Sequence, residues 1–157
     1  MNAYRSKPLN FPWPILLYSA AILTALVLDH FVPLPLPAFA RSLAFVAGGL
    51  LTIGAILLGL WAAKTLIDSE TTISTHRCTT YLVTRGPFRY TRNPTYLGYT
   101  LVTIGFGLLT GNAWFFLSGA VAALATTAIV IRSEEMHLLS RFGFEFEHYC
   151  RRTRRWV

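Results

Sequence analysis

Four apolar stretches, separated by short breaks and one long polar loop, run along the 157-residue chain. The first covers residues 11–32 and opens with Pro12 and Pro14. Proline suits a helix entrance, where the N–H it lacks would have no partner in any case. The segment VPLPLP at residues 32–37 removes backbone donors and ends that helix, so the chain turns back. The second stretch covers residues 38–66. The third, residues 94–109, is short, and Thr110-Gly111-Asn112 makes a tight turn into a fourth that stays apolar to Ile131. About 20 apolar residues cross a bilayer, so the pattern predicts about four transmembrane helices. Beyond Ile131 the helical spacing continues. Leu138, Leu139 and Phe142 share one face, and Phe146 and Tyr149 follow in step. This predicts a helix leaving the membrane and a C-terminal amphipathic helix at its surface. The expected fold is an all-α polytopic membrane protein, with residues 1–157 as a single domain.

Within the second stretch Ala44, Gly48, Thr52, Ala55 and Gly59 recur at steps of four, four, three and four. Such a stripe of small residues reads as a seam against another helix. Composition agrees with a membrane protein: 54% of residues are hydrophobic, 13% are charged, and the mean hydropathy is +0.47. The net charge of +7 is no sign of nucleic-acid binding. Apart from Arg41, the basic residues gather at the N-terminus, around the polar loop of residues 67–91, and in the C-terminal tail. With four spans these three segments share one side, which the positive-inside rule makes cytoplasmic. Cys78 and Cys150 have no metal-ligand spacing and are expected as free thiols on that side. The long first stretch lacks a small-residue cleavage site after Asp29-His30, so it is expected to be retained rather than removed as a signal peptide.

The candidate chemistry lies in RGPFRYTRNPTYLG, residues 85–98. Asn93 is a favoured N-cap and Pro94 a favoured first helical residue, so RNP marks a helix start. Such an end carries free N–H donors and partial positive charge. Arg85, Arg89 and Arg92 beside it would make an anion site, with Gly86-Pro87 bending the loop toward it. Tyr90 and Tyr96 offer flat faces and hydroxyls. The same residues also suit a plain membrane edge, with arginines on lipid phosphate and tyrosines in the aromatic belt. Glu134-Glu135 changes the balance, because adjacent carboxylates at a membrane edge are costly unless paired. The tight turn folds the third and fourth spans into a hairpin, which returns the pair to the side of Asn93 and the arginines. One pocket then holds an anion site, two carboxylates and aromatic faces, as a zwitterionic nucleotide-like ligand requires; a structural Arg–Glu network is the alternative. The basic tail around Trp156 reads as a surface anchor, or as a cover for the pocket.

In this order, LVTRGPFRYTRNPTYLG followed by RSEEMHLLSRFGFEFEHYCRRTRRW resembles the isoprenylcysteine carboxyl methyltransferase family, with the phospholipid N-methyltransferases. The resemblance covers residues 71–157. It implies an integral membrane methyltransferase using S-adenosyl-L-methionine at the cytoplasmic interface of a bacterial inner membrane, with both termini cytoplasmic. It implies cofactor contacts at Tyr81, Leu82 and Val83, largely through backbone, and at Phe88, Arg92, Asn93, Tyr96, Glu134 and Glu135. It implies no metal and no nucleic-acid partner. The partners would be membrane lipids and a lipophilic or lipid-linked acceptor entering sideways from the bilayer.

Several positions depart from the family pattern: Asn93 stands for a histidine, Phe88 for a tyrosine, and Glu70 and Cys78 for a glycine and a proline. The departures point away from prenylcysteine as the substrate. A carboxylate acceptor would need an orienting arginine, Arg89 or Arg132. An amine would need a proton acceptor, Glu135 or His137. Two other functions fit parts of the pattern. One is an NADPH-dependent reductase of sterol-reductase-like fold, which also carries an Arg-His-Pro-x-Tyr stretch. The other is a non-enzymatic scaffold binding anionic lipid.

Overall fold

A computed structural model of the chain describes residues 12–69 and 81–157. Phe11, Glu70 and Cys78, on which parts of the sequence reading rest, lie outside the described residues. The described chain forms helices α1 (Trp13–Phe31), α2 (Arg41–Ile67), α3 (Pro94–Thr110), α4 (Trp114–Thr126), α5 (Arg132–Phe142) and α6 (Phe144–Arg152). Short 3-10 turns cover Ala38–Ala40 and Gly86–Arg89, and a π-helical turn, Thr127–Ile131, joins α4 to α5. The all-α membrane fold is as expected. Three helical stretches, Trp13–Phe31, Ala38–Ile67 and Trp114–Phe142, are long and apolar enough to cross a membrane. Helix α3 has 17 residues and packs against the other three.

Large side chains face outward and small ones inward. On α2 the buried residues are Ala44, Gly48, Ala55, Ala62 and Thr65, while Leu43, Phe45, Leu50, Ile53 and Leu60 are exposed. In water so broad an apolar surface would drive aggregation. Against lipid it costs nothing, and helices associate instead through close backbone approach. Among the described elements α2 and α3 pack together most extensively, and the small-residue stripe forms this interface. A Cβ added at Gly48 would sit 2.8 Å from Gly105 O and from the Leu109 backbone nitrogen. One at Gly105 would collide with Thr52 Oγ1. Helix α1 packs mainly on α4, and its Tyr18 OH lies 2.6 Å from Thr100 Oγ1 of α3.

At one end of the bundle the two tight turns are laced together. Leu36 N–H donates to Gly111 O at 2.7 Å and Ala113 N–H to Leu34 O at 3.0 Å. The Trp114 indole donates to Val32 O at 2.8 Å. These bonds satisfy backbone groups that VPLPLP and TGN would otherwise leave open. The α3–α4 hairpin therefore returns the chain to the opposite end, where the candidate site lies.

Candidate functional site

Gly86 opens the site segment with φ +61°, and a Cβ there would lie 2.7 Å from Thr65 Oγ1 of α2. Only glycine allows both this left-handed backbone and this proximity, so the Gly-Pro bend is as expected. The bend seats Gly86–Arg89 against α2 and leads through Thr91 to the start of α3.

Asn93 and Pro94 occupy the N-cap and first helical positions of α3, as the sequence indicates. The Asn93 side chain does not cap the helix, however. Its Nδ2 donates to Arg155 O at 2.9 Å, and its own backbone N–H donates to Thr91 Oγ1 at 3.2 Å. The carbonyl of a returning C-terminal segment recruits the amide as a donor, which turns its oxygen away from the helix end. Asn93 thus fastens the tail.

The hairpin brings Glu134 and Glu135 to this helix start. Tyr96 OH donates to Glu134 Oε1 at 2.7 Å. Glu135 receives Arg155 Nε on Oε1 at 3.0 Å and Arg155 Nη2 on Oε2 at 2.5 Å. Arg92 Nη2 lies 3.3 Å from Glu135 Oε1. The hydrogen bond from Arg155 to Glu135 raises the arginine's pKa further, which keeps it charged. Glu135 is therefore ion-paired, as its placement at a membrane edge demands, and Glu134 takes the Tyr96 hydroxyl as its partner.

The three arginines of residues 85–92 do not converge on the helix start. Arg85 turns to the end of α2, donating to Asp68 O at 2.9 Å and to Ser69 Oγ at 3.1 Å. A helix C-terminus carries partial negative charge and unpaired carbonyls, so it attracts a nearby cation. Arg89 is exposed. Arg92 alone is drawn in: its Nη1 donates to Cys150 Sγ, and its Nε is buried without a hydrogen-bond partner. Arg132, two residues before Glu134, is also exposed, and among the described residues neither it nor Arg89 has its side chain tied into the corner. His137 is half-buried on α5.

Tyr81, Leu82 and Val83 line a cavity of about 260 Å³ together with Ser69, Thr84 and Arg85. Residues 82–84 have no regular secondary structure. Phe88 is half-buried in the 3-10 turn, and its carbonyl accepts from Tyr149 OH at 2.6 Å. Burial pushes the Tyr149 phenol up, so it remains a neutral donor.

The tail contributes more than the sequence suggests. The chain breaks at Gly143 into α5 and α6, and Phe146 and Tyr149 of α6 are buried. Residues 153–155 then run alongside 91–93. Arg92 N–H donates to Arg154 O at 3.0 Å, Thr91 Oγ1 to Arg155 O at 3.2 Å, and Thr153 Oγ1 to Arg89 O at 3.3 Å. Thr91, Tyr149 and Arg155 were not singled out as site residues from the sequence. Arg155 carries no local mark that separates it from its neighbours in RRTRRW.

Comparison with known proteins agrees with this arrangement. Residues 43–145 match the family model for phospholipid methyltransferases. The nickel-cobalt-cadmium resistance protein NccN of Alcaligenes xylosoxydans xylosoxydans is 34% identical over 113 residues, 71% of this chain and 49% of that protein. The chain thus spans about half the length of that relative. An uncharacterized protein of Haemophilus influenzae is 32% identical over 62 residues, 40% of this chain and 98% of that protein. No solved structure matches significantly. The matched region contains the RNP helix start, the hairpin and the Glu134-Glu135 pair, and the chain belongs to the phospholipid methyltransferase family.

Proposed function

We propose that the protein is an integral membrane methyltransferase that uses S-adenosyl-L-methionine and acts on a lipophilic acceptor at the cytoplasmic interface. The observation that carries this reading is the corner formed by Tyr96, Glu134, Glu135 and Arg92 at the start of α3. The residues suit the cofactor. The buried Arg92 Nε lacks an acceptor, which a methionine carboxylate would provide. Glu134 and Glu135 suit ribose hydroxyls or an amine. The cavity lined by residues 81–85 suits an adenine edge.

When bound, S-adenosyl-L-methionine supplies an electrophilic methyl group on a sulfonium. The protein's own part is alignment and exclusion of water. Tyr96, held by Glu134, fixes one wall, and the tail fastened by Asn93 covers the helix start. For a carboxylate acceptor, an exposed arginine, Arg89 or Arg132, orients it and no base is required. For an amine, Glu135 or His137 takes the proton. The acceptor enters from the bilayer between helices. An NADPH reductase is less well supported, because two carboxylates beside the anion site would repel phosphates.

The test is transfer itself. Membranes containing the protein are incubated with methyl-labelled S-adenosyl-L-methionine and extracted with organic solvent. Label should enter the apolar phase, and Glu135→Ala should abolish most of it. Equal label with and without the protein would refute the activity.

A further inference from the structure

Arg155 lies beyond the region that matches the family, residues 43–145, yet it makes the closest contacts to Glu135. It holds both oxygens of Glu135, at 3.0 and 2.5 Å. Arg92 reaches the same carboxylate through one nitrogen only, at 3.3 Å. The two arginines differ in exposure: the Arg155 side chain is 36% accessible and that of Arg92 15%. The more hydrated cation thus neutralises the carboxylate, and the more buried one keeps an unused N–H at Nε. An unpaired buried donor is costly, and a carboxylate able to satisfy it lies next to it. A planar guanidinium and a carboxylate favour a two-pronged pair. Arg155 already takes the two-pronged face of Glu135, and Cys150 Sγ accepts from Arg92 Nη1, so Arg92 keeps a single contact at Oε1.

We propose that Arg155 is a positioning residue: by occupying the two-pronged face of Glu135 it keeps the buried Arg92 Nε–H without a protein acceptor, so that an anionic group of the ligand can take it. The proposal rests on the methyltransferase reading for the identity of that group, the carboxylate of S-adenosyl-L-methionine. The anion receptor itself is a property of the two arginines. The site can be tested cleanly because the tail is held largely through main-chain carbonyls. Thr91 and Asn93 donate to Arg155 O, and Arg92 N–H donates to Arg154 O. Arg155→Ala keeps these acceptors and removes only the guanidinium.

The experiment compares the wild-type full chain, Arg155→Ala, Arg155→Lys and Arg92→Ala in mild detergent. Each is titrated with S-adenosyl-L-methionine and with its decarboxylated analogue, which keeps the sulfonium and lacks the carboxylate. Arg155→Ala should weaken the first ligand about tenfold or more, the loss of one charge-assisted contact, and leave the analogue unchanged. Arg155→Lys should fall between, since an ammonium neutralises Glu135 without filling both oxygens. Equal weakening of both ligands would show a merely structural role and overturn the proposal, as would no change in either. In parallel, inorganic sulfate is titrated against chloride at constant ionic strength, with thermal unfolding as the readout. A saturable stabilisation present in wild type and lost in Arg155→Ala and Arg92→Ala supports the receptor; the same response in all three overturns it. If wild type binds neither nucleoside, the methyltransferase reading falls, and the sulfate series still decides the role of Arg155.

Discussion

Between α2 and α3 the chain brings two backbones together by leaving side chains out. Gly48 and Gly105 let the helices meet where one added carbon would collide, and at Gly98 an added carbon would lie tight against Ala55 O. At the corner around the start of α3 the chain does the reverse. Tyr96, Glu134, Glu135, Arg92 and Arg155 fill the space with long polar side chains joined by hydrogen bonds and ion pairs, two arginines sharing Glu135 and the Tyr96 hydroxyl serving Glu134. The seam depends on size and is indifferent to charge; the corner depends on charge and donor count. A membrane protein needs both, since lipid gives helices no hydrophobic reason to associate, while the interface tolerates charges only when they are paired. Substitutions that change size alone or hydrogen bonding alone should separate the two regions.

The largest effect is expected at the seam. Gly48→Leu forces a side chain against Gly105 O and the Leu109 nitrogen, both main-chain atoms that cannot move aside. It should cost about 3 kcal/mol or more, seen as loss of cooperative thermal unfolding in detergent. At the corner Glu135→Ala strands Arg155 and Arg92. It should cost about 2 kcal/mol, below the figure for a fully buried pair because Arg155 is partly hydrated, and ligand affinity should fall more than stability. Tyr96→Phe keeps the ring and removes the donor to Glu134, for a loss of about 1.5 kcal/mol by chemical unfolding.

A smaller effect sharpens the role of Asn93. As a donor to Arg155 O, it should be replaced equally badly by Ala and by Asp, each costing about 1 kcal/mol. An Asn93→Asp protein as stable as wild type would return the side chain to helix capping, since aspartate caps as well as asparagine. The smallest effect is expected at Gly54, where an added Cβ meets nothing within 4 Å. Gly54→Ala should change stability by less than about 1 kcal/mol, toward stabilisation, which contrasts with Gly48 on the same helix.

Much of this architecture is legible in local sequence. VPLPLP and TGN mark the turns because proline and glycine act on their own backbone. The small-residue stripe marks the seam because its periodicity is that of one helix. The Glu134-Glu135 pair stands out because bare carboxylates are expensive at a membrane edge. What was not legible involves partners far apart in the chain. Asn93 looks like a cap until the Arg155 carbonyl, 62 residues later, claims its amide. Arg85 looks like part of an anion site until the end of α2 draws it away. The π-helical turn at Thr127–Ile131 has the composition of any apolar helix, although it shifts the register ahead of Glu134 and Glu135.

The most direct test of the account is calorimetric titration of the purified protein with S-adenosyl-L-methionine, with NADPH in parallel. The account predicts saturable binding of S-adenosyl-L-methionine, weakened by Glu135→Ala and by Asn93→Ala, and none of NADPH. Binding of NADPH alone, or of neither ligand to a well-folded protein, would contradict it, leaving the corner either a phosphate site or a structural ion-pair network.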